Sequence, residues 1–385
     1  MTEIEQKHKN EYGIKPTVVY SCPGKVTYSG EHTEYNDGIL LSSTIDLFSY
    51  VSISKRDDNS LRVFSVNFDE RKKSSISNIK FKREDRWANY IKGVVASILQ
   101  AGYDLTGMDI TIYGEIPMGL GLGSSSAICL ATACCIKELY GFDLTWLNLI
   151  EAARFSESVF MGLYTGLDDA MTMFFGEKNT IFYLDAATLE YQIIPIDQES
   201  SNIYILKPGV NNSEIEMDYM EDRESLYDLA TTLSKGRNNH SLRNYRFEQI
   251  RTMLGVPERI KRKAIYIIDE IKRAKESKPI IESGDLKLFG RYLVRSHEGL
   301  RDLFENTCPE VDWLIKRGSE TPGVYGGKAS GEICCGVVLF IMEKQGLSNF
   351  MEHIEEYDKI FGFKAEILAP KICDGMLKLY SELSS

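Results

Sequence analysis

The sequence has 385 residues, of which 43% are hydrophobic and 26% are charged, and its formal net charge is −11 at pH 7. This length predicts about two domains, and the acidic balance disfavours nucleic acid or an anionic membrane surface as the main partner, since both attract basic proteins. The charged N-terminal segment MTEIEQKHKNEYGIKP lacks the apolar core of a signal peptide, and no run approaches the ~18 apolar residues of a spanning helix. None of the eight cysteines forms a C-x-x-C pair, so we expect no zinc site and a cytoplasmic, reduced protein.

The first half of the chain carries the patterns of several strands and two helices. The predicted strands share a richness in β-branched and aromatic residues; they are TVVYS at 17–21, 39–54, 61–68, MDITIYGEI at 108–116, NTIFYLD at 179–185 and NIYILKP at 202–208. From Ser124 the segment SSSAICLATACCIKELYG is apolar on all sides and stops at Gly141, which indicates a buried helix. A second helix is predicted from Trp146 to about Phe160.

The second half is more helical. Helical patterns cover 222–236, 257–276 and 285–304, whereas CCGVVLFIM at 334–342 and AEILAP at 365–370 read as strands. Strands and helices are mixed without strict alternation, which favours an α+β protein over a doubly wound parallel sheet. We place the domain boundary near residue 205, giving domains of 1–205 and 206–385.

A glycine-rich turn, IPMGLGLGSSSA, joins the strand at 108–116 to the buried helix. Gly119, Gly121 and Gly123 allow close backbone approach, and Ser124 and Ser125 stand where the free N–H groups of a helix N-terminus attract an anion. No G-K-[ST] follows, so this is not a Walker loop. The alternative is a tight strand–helix turn with serine capping, but the added serines and the buried helix favour a phosphate site.

An acidic turn, SGEHTEYNDG at 29–38, lies between two apolar runs. Gly, Asn or Asp would satisfy the backbone of an ordinary turn, so the two glutamates around a histidine point to a binding role. Carboxylates and imidazoles recognise hydroxyl groups through paired hydrogen bonds.

These segments resemble the GHMP kinases, and within them the galactokinases. PMGLGLGSSSA is similar to the second GHMP motif, CPGKVTYSGEHTEYNDGILL to the galactokinase signature, and RWANYIKGV at 86–94 and the segment at 289–314 to further galactokinase segments. The resemblance runs from about residue 15 to the end. It implies a two-domain α+β GHMP kinase fold, with a ribosomal-protein-S5-like N-terminal ATP domain, a ferredoxin-like C-terminal domain and an active site in the cleft between them.

The resemblance also implies a nucleotide and metal site for ATP and Mg²⁺. Ser125 and Glu157 are expected to bind Mg²⁺, an ion that accepts such hard oxygen ligands, and Trp87 is expected near the adenine. The phosphate-binding residues implied are Gly119, Gly121, Gly123, Ser124 and Ser125.

The catalytic pair implied by the resemblance is Asp169 with Lys25. Asp169 would accept or orient the proton of the sugar hydroxyl, and the nearby ammonium of Lys25 would stabilise phosphoryl charge. Two inward-pointing adjacent carboxylates would raise the pKa of one of them. We expect instead that Asp168 points to the opposite side and is structural.

The implied partner is a small-molecule sugar, with no nucleic acid, no membrane and a monomeric protein. The substrate-binding residues implied are Glu31, His32, Glu34, Gly166, Asp169 and Tyr219. The activity expected is a galactose 1-kinase. Two alternatives stay open: a kinase for a related sugar such as N-acetylgalactosamine, galacturonate or arabinose, and a non-catalytic sugar and ATP sensor.

Two features depart from the family pattern. Glu34 stands where galactokinases carry Asp, and one extra methylene moves a carboxylate by about 1 Å, enough to alter reactivity or sugar choice. The third glycine-rich motif reads GGKASGEICCG at 326–336. Its bulky positions, which are expected to affect nucleotide closure and turnover, are Glu332, Ile333, Cys334 and Cys335.

Overall fold

The computed structural model contains two β-sheets with helices packed against them, which confirms the predicted α+β class. It describes residues 2–163, 165–197, 202–210, 216–234, 241–331 and 336–383, and for residues 216–221 the backbone alone. The strands in chain order are β1 (Val18–Ser29), β2 (Ile39–Lys55), β3 (Ser60–Ser65), β4 (Glu70–Ser75), β5 (Met108–Gly114), β6 (Thr180–Asp185), β7 (Glu190–Pro195), β8 (Asn202–Lys207), β9 (Val324–Ser330), β10 (Val337–Met342), β11 (Glu366–Leu368) and β12 (Leu377–Ser381).

The described helices include all five predicted segments and further helices that the sequence pattern did not predict. In chain order they are α1 (Glu3–Tyr12), α2 (Ala88–Gln100), α3 (Ser124–Tyr140), α4 (Trp146–Phe155), α5 (Asp168–Phe175), α6 (Glu216–Leu233), α7 (Phe247–Arg251), α8 (Glu258–Glu282), α9 (Leu286–Gly299), α10 (Pro309–Glu320) and α11 (Lys344–Phe361). Two π-helical turns extend α4 and α9, at Ser156–Phe160 and Leu300–Phe304. The helix predicted from Trp146 to Phe160 therefore exists, but its last turn is wider.

The first sheet carries the glycine-rich turn at one end of β5. Its strand order is β12-β1-β2-β5-β3-β4, and β6 and β7 are attached through β2. Helix α3 packs under β1 and β2 with 11 of its 17 residues buried and none fully exposed, as its all-round apolar pattern predicts. This packing holds the N-terminus of α3 against β1, which fixes the position of the turn.

The second sheet has the order β11-β8-β10-β9. The boundary predicted at residue 205 lies within β8, and the chain end returns to the first sheet, where β12 pairs with β1. The division into 1–205 and 206–385 stays a prediction. Within the described ranges, no helix is long and apolar enough to cross a membrane.

Contacts from the second half of the chain hold the acidic turn in place. Arg243 forms a bidentate ion pair with Asp185 and donates to the carbonyl of Asp37 at 2.7 Å. Ser241 donates to the carbonyl of Asn36 at 2.7 Å. Residues from both halves of the chain therefore hold the acidic turn in place.

Candidate active site

The glycine-rich turn between β5 and α3 has a backbone that glycine adopts most easily. Gly119, Gly121 and Gly123 have φ values of +74°, +71° and +77°, in the region where a Cβ causes strain. At Gly121 a Cβ would also collide with the backbone of Gly331. Gly123 is the N-cap of α3, so the first N–H groups of this helix are free to bind an anion.

A cavity of about 460 Å³ lies beside this turn. Phe68 and Met118 form part of the cavity wall, and Trp87 stacks on Phe68 with ring centroids 6.2 Å apart. A flat apolar wall next to an anion-binding helix N-terminus suits a nucleotide base together with its phosphates. The predicted residues that line this cavity are Lys25, Trp87, Gly119, Gly121, Gly123, Ser124, Ser125, Glu157 and Asp169.

Lys25 on β1 reaches the start of α5. Its Nζ lies 2.6 Å from Oδ1 of Asp169 and 2.9 Å from Oγ1 of Thr27. Its backbone N–H donates to the carbonyl of Leu122 at 3.0 Å, which joins β1 to the glycine-rich turn. Burial alone would lower the pKa of Lys25, but the carboxylates of Asp169 and Asp168 outweigh burial and raise it. The turn, a charged ammonium and a carboxylate thus meet at one point.

Glu157 is the second residue of the π-helical turn after α4. π-Helical turns often occur at functional sites because they redirect a side chain. Oγ of Ser126 donates to Oε2 of Glu157 at 2.7 Å. Burial raises the pKa of Glu157 to about 7, although hydrogen bonds from Ser125 and Ser126 partly oppose this effect. A buried carboxylate beside two hydroxyls is a set of hard oxygen ligands.

Glu34, Gly166 and Asp168 lie close to one another and near Asp169. A Cβ on Gly166 would lie 2.5 Å from Oδ1 of Asp168 and 3.3 Å from Cγ of Glu34. Burial, the charge of Asp169 and the charge of Glu34 raise the pKa of Asp168 well above its usual range. The expectation that Asp168 points away was wrong, because its carboxyl group lies close enough to Asp169, Glu34 and Lys25 for their charges to act on it.

Glu31 and His32 make contacts with the second half of the protein. The carboxylate of Glu31 accepts hydrogen bonds from the ammonium of Lys328, from Oγ of Ser330 at 2.8 Å and from the N–H of Gly331 at 2.7 Å. These contacts fasten the acidic turn to β9. The sugar contact predicted for Glu31 stays a prediction.

His32 has a φ of +64° and is almost fully buried. Its ring stacks on Phe304 at 4.3 Å, and Nε2 lies 3.0 Å from Nδ2 of Asn306. Burial and the nearby cations Lys328, Lys263 and Arg223 lower the pKa of His32 to about 3. His32 is therefore a neutral ring held inside the protein, and its predicted contact with a sugar is untested.

Two predictions fall outside the described residues. Tyr219 belongs to α6, but its side chain is among those of 216–221 that are not described. The bulky positions of the third motif also lie outside the described residues; they are Glu332, Ile333, Cys334 and Cys335.

Three residues whose side chains contact the site residues were not predicted from the sequence. Ser126 follows the predicted serine pair and binds Glu157, and the third serine of SSSA was a signal for it. Arg223 on α6 lies 3.8 Å from Oε1 of Glu34. Glu270 on α8 is fully buried, and no local pattern distinguishes it from the other glutamates of that helix.

Glu270 binds donors from three parts of the chain. Its carboxylate accepts from Oγ of Ser29 at 2.7 Å, from the N–H of Gly30 at 2.9 Å and from Oγ of Ser296 at 2.8 Å, and it pairs with Arg273. Burial would raise the pKa of Glu270, but Arg273, Lys328 and these hydrogen bonds outweigh burial and lower it. Glu270 therefore holds the first two residues of the acidic turn, Ser29 and Gly30, in place through hydrogen bonds.

Glu270→Ala should lower the free energy of unfolding by about 3 kcal/mol, because it leaves a buried cation and three buried donors without their partner. Glu270→Gln keeps the acceptor oxygen and should restore part of this loss. For the sugar and the ATP that the resemblance implies as substrates, we expect the KM of the sugar to rise more than the KM of ATP in both variants. Urea unfolding and steady-state kinetics measure these effects.

The exposed Glu276→Ala variant on the same helix is the matched control, because its pair with Lys272 is worth well under about 1 kcal/mol. Equal changes in the two KM values of the Glu270→Gln variant would show that Glu270 supports the fold generally rather than the acidic turn.

Comparison with known proteins agrees with this geometry. The family described as the GHMP kinases N terminal domain matches residues 89–177, which include the glycine-rich turn, α3, Glu157 and Asp169. The fold and the site thus define a GHMP kinase. The galactokinase galactose-binding signature matches residues 6–55, which include Lys25 and the acidic turn.

Full-length relatives identify the family more narrowly. The galactokinase of Streptococcus suis is 31% identical, with 97% of each chain covered. The galactokinase of Thermotoga petrophila is also 31% identical, over 93% of this chain and 99% of that protein. A crystal structure of Lactococcus lactis galactokinase complexed with galactose superposes with a TM-score of 0.91 at 25% identity, covering 97% of this chain and 98% of the other. The chain belongs to the galactokinase family.

Proposed function

We propose that this protein transfers the γ-phosphoryl group of ATP to the anomeric hydroxyl of galactose, giving α-D-galactose 1-phosphate and ADP. The observation that carries the proposal is the ion pair of Lys25 and Asp169, 2.6 Å long, at the edge of the cavity formed by the glycine-rich turn. A nucleophile held by Asp169 would there face a phosphate held at the N-terminus of α3. Positioning and charge stabilisation are the main requirements of phosphoryl transfer.

Asp169 orients the anomeric hydroxyl and accepts its proton as the hydroxyl oxygen attacks the γ-phosphorus. The new O–P bond forms while the bond between the γ-phosphorus and the bridging oxygen breaks, and ADP leaves with the electron pair. The side chain of Asp169 is 24% exposed, so the accepted proton can pass to solvent.

Lys25 and the glycine-rich turn stabilise the charge that this transfer develops. The ammonium of Lys25 is held by Asp169 and Thr27, and its raised pKa keeps it charged. The free N–H groups at the start of α3 add a fixed positive dipole. Because the groups are already in position, little reorganisation is needed during the reaction.

Mg²⁺ fits the oxygen ligands of Ser125 and Glu157. Glu157 is buried with a raised pKa, so a cation next to it would offset the cost of its charge. Among the described residues no cluster of three or more His, Cys, Asp or Glu could hold a metal by itself, which suits an ion whose remaining ligands are phosphates and water. When bound, Mg²⁺ neutralises charge on the β- and γ-phosphates.

An ADP-release assay with purified protein, ATP, Mg²⁺ and galactose tests the proposed function. We expect turnover with galactose, and the same signal should require both ATP and sugar. A panel with N-acetylgalactosamine, galacturonate and arabinose tests the kinase alternative. Binding of ATP and galactose by calorimetry with no turnover of any sugar would instead indicate a sensor.

A further inference from the structure

A second cavity, of about 420 Å³, lies at the far end of the hairpin formed by β3 and β4. The turn of this hairpin, with Asn67 and Phe68, lines the cavity beside the glycine-rich turn. The second cavity lies instead beside Ser60, where β3 begins, and Ser75, where β4 ends. The two cavities have no lining residue in common. The second cavity is therefore a separate feature, which the proposed function does not use.

The second cavity is positively charged. Lys73, Lys80 and Lys82 line it, and its other lining residues are serines and asparagines. In the described part of the chain, the ion pairs around this hairpin are made by other cations, and none involves these three lysines. The neighbouring carboxylate of Asp58 is bound on both oxygens by Arg56. The charges of the three lysines are thus not offset by a carboxylate.

Avoidance of edge pairing explains only one of these lysines. The segment 71–83, RKKSSISNIKFKR, has no acidic residue, although the whole chain has a net charge of −11. Lys73 belongs to the edge strand β4, where a lysine discourages pairing with another chain. Lys80 and Lys82 lie outside the strands, so this reason does not apply to them. Their position at the same cavity as Lys73 needs another explanation.

Hydrogen bonds to buried residues fix the backbone on two sides of the cavity. The buried Asn89 of α2 donates from Nδ2 to the carbonyl of Lys82 at 2.7 Å, and its Oδ1 accepts from the N–H of Lys82 at 3.2 Å. The N–H of the buried Ile76 donates to the carbonyl of Asn59, another lining residue, at 2.9 Å. Because this backbone is already in place, a ligand would not have to order it on binding.

From this geometry we propose that this lysine cavity binds a small anion that carries several phosphate groups, namely a polyphosphate chain, either free or as part of a nucleotide. Lysine binds phosphate as a point charge, and the serine hydroxyls and asparagine amides can donate further hydrogen bonds to phosphate oxygens. Three ammonium groups suit an anion with three or more negative charges. The cavity volume lies within the range of about 300–1,000 Å³ typical of small-ligand sites, which favours a small anion over a macromolecule.

Calorimetry with tripolyphosphate tests this proposal in the unmodified protein and in the triple variant Lys73→Gln, Lys80→Gln, Lys82→Gln. Tripolyphosphate can also occupy the glycine-rich turn, and the variant separates the two sites because it changes the lysine cavity alone. The affinity of the lysine cavity should fall by about 10-fold or more, since one surface charge pair contributes up to about 5-fold and three are lost. Added salt should weaken binding to the unmodified protein. A second equivalent of ATP that the variant does not bind would show that the cavity accepts a nucleotide.

The matched control is the triple variant Lys344→Gln, Lys359→Gln, Lys364→Gln, which removes the same charge from exposed positions in the second half of the chain. It should bind tripolyphosphate within about twofold of the unmodified protein, as expected for screened charges. Both variants should keep the kcat for galactose and the KM for ATP, which also shows that they fold. Unchanged tripolyphosphate binding in the first variant, or an equal loss in both, would overturn the proposal. Absence of turnover in all three proteins would reject the proposed function and leave this binding test unaffected.

Discussion

Asp169→Asn should lower kcat by about 10²- to 10⁴-fold, the range for loss of a positioned general base. Asparagine has nearly the same shape as aspartate, but its amide cannot accept the proton of the sugar hydroxyl. The substitution also replaces the charged carboxylate that lies 2.6 Å from Nζ of Lys25 by a neutral amide. In the proposed nucleotide site the phosphates lie at the glycine-rich turn and the adenine at the wall around Trp87, away from the carboxyl group of Asp169. We therefore expect the affinity for ATP to change little.

Steady-state kinetics and calorimetry with ATP on the same preparation measure these two quantities. Asp302→Asn, which makes the same chemical change at an exposed position, is the control and should keep nearly full activity. If Asp169→Asn retained most of its kcat, the base assignment would be wrong. If it lost ATP affinity as strongly as kcat, the substitution would have disturbed the nucleotide cavity rather than the proton transfer.

The sequence predicts the parts of the site whose geometry is local. Gly119, Gly121 and Gly123 were predicted to allow close backbone approach, and all three have the positive φ that glycine adopts most easily. The start of α3 was also predictable, because the change from alternating to all-round apolar residues marks the end of one element and the beginning of the next. Such features depend on neighbours within a few residues, so a single sequence contains them.

Contacts between distant segments could not be predicted from the sequence alone. Glu270 binds Gly30 across 240 positions of the chain, and Glu31 binds Gly331 across 300. The direction of Asp168 was mistaken for the same reason, since it depends on how Gly166 and the acidic turn pack together. No local rule separates a buried glutamate that has partners from an exposed one on the same helix.

Two strands could not be predicted from the residues they contain. β4 has the sequence ERKKSS and β12 has LKLYS, and both lie at edges of the first sheet. Edge strands tolerate charged residues, which reduce pairing with other molecules. Their strand structure comes from pairing with β3 and β1 rather than from their own side chains.

Glu157→Gln should have opposite effects on activity and on stability. Replacing the carboxylate of the proposed Mg²⁺ ligand by a neutral amide should lower kcat/KM for ATP by at least about 100-fold, because changes even to the partners of metal ligands cost about 10- to 100-fold. The buried carboxylate has a pKa raised to about 7 from an ordinary value of 4.5. A raised pKa means that the folded protein binds this proton more tightly than the unfolded chain, so stability is lost as pH rises through this interval.

The size of the loss in folding stability follows from the shift in the pKa of Glu157. Without nucleotide and Mg²⁺, ionising Glu157 should cost about 3 kcal/mol between pH 4.5 and pH 8, at about 1.4 kcal/mol per pKa unit. Glutamine remains neutral, so the variant should unfold at higher urea concentration than the unmodified protein at pH 8 and at a similar concentration at pH 4.5. Other acidic groups titrate over the same pH range, but both proteins contain them. Their contribution therefore cancels when the stability of one protein is subtracted from that of the other.

Glu151→Gln, at an exposed ion pair with Arg154 on α4, is the matched control and should shift neither the urea midpoint nor kcat/KM appreciably. A variant that lost both activity and stability at pH 8 would contradict the buried-charge account, because it would mean that Glu157 mainly holds Ser125 and Ser126 in place. A variant that gained stability while losing activity would show that the protein keeps a destabilising carboxylate because Mg²⁺ requires it. Saturating Mg²⁺ and ATP should then stabilise the unmodified protein more than the variant, since ligand binding to the folded state adds to its stability.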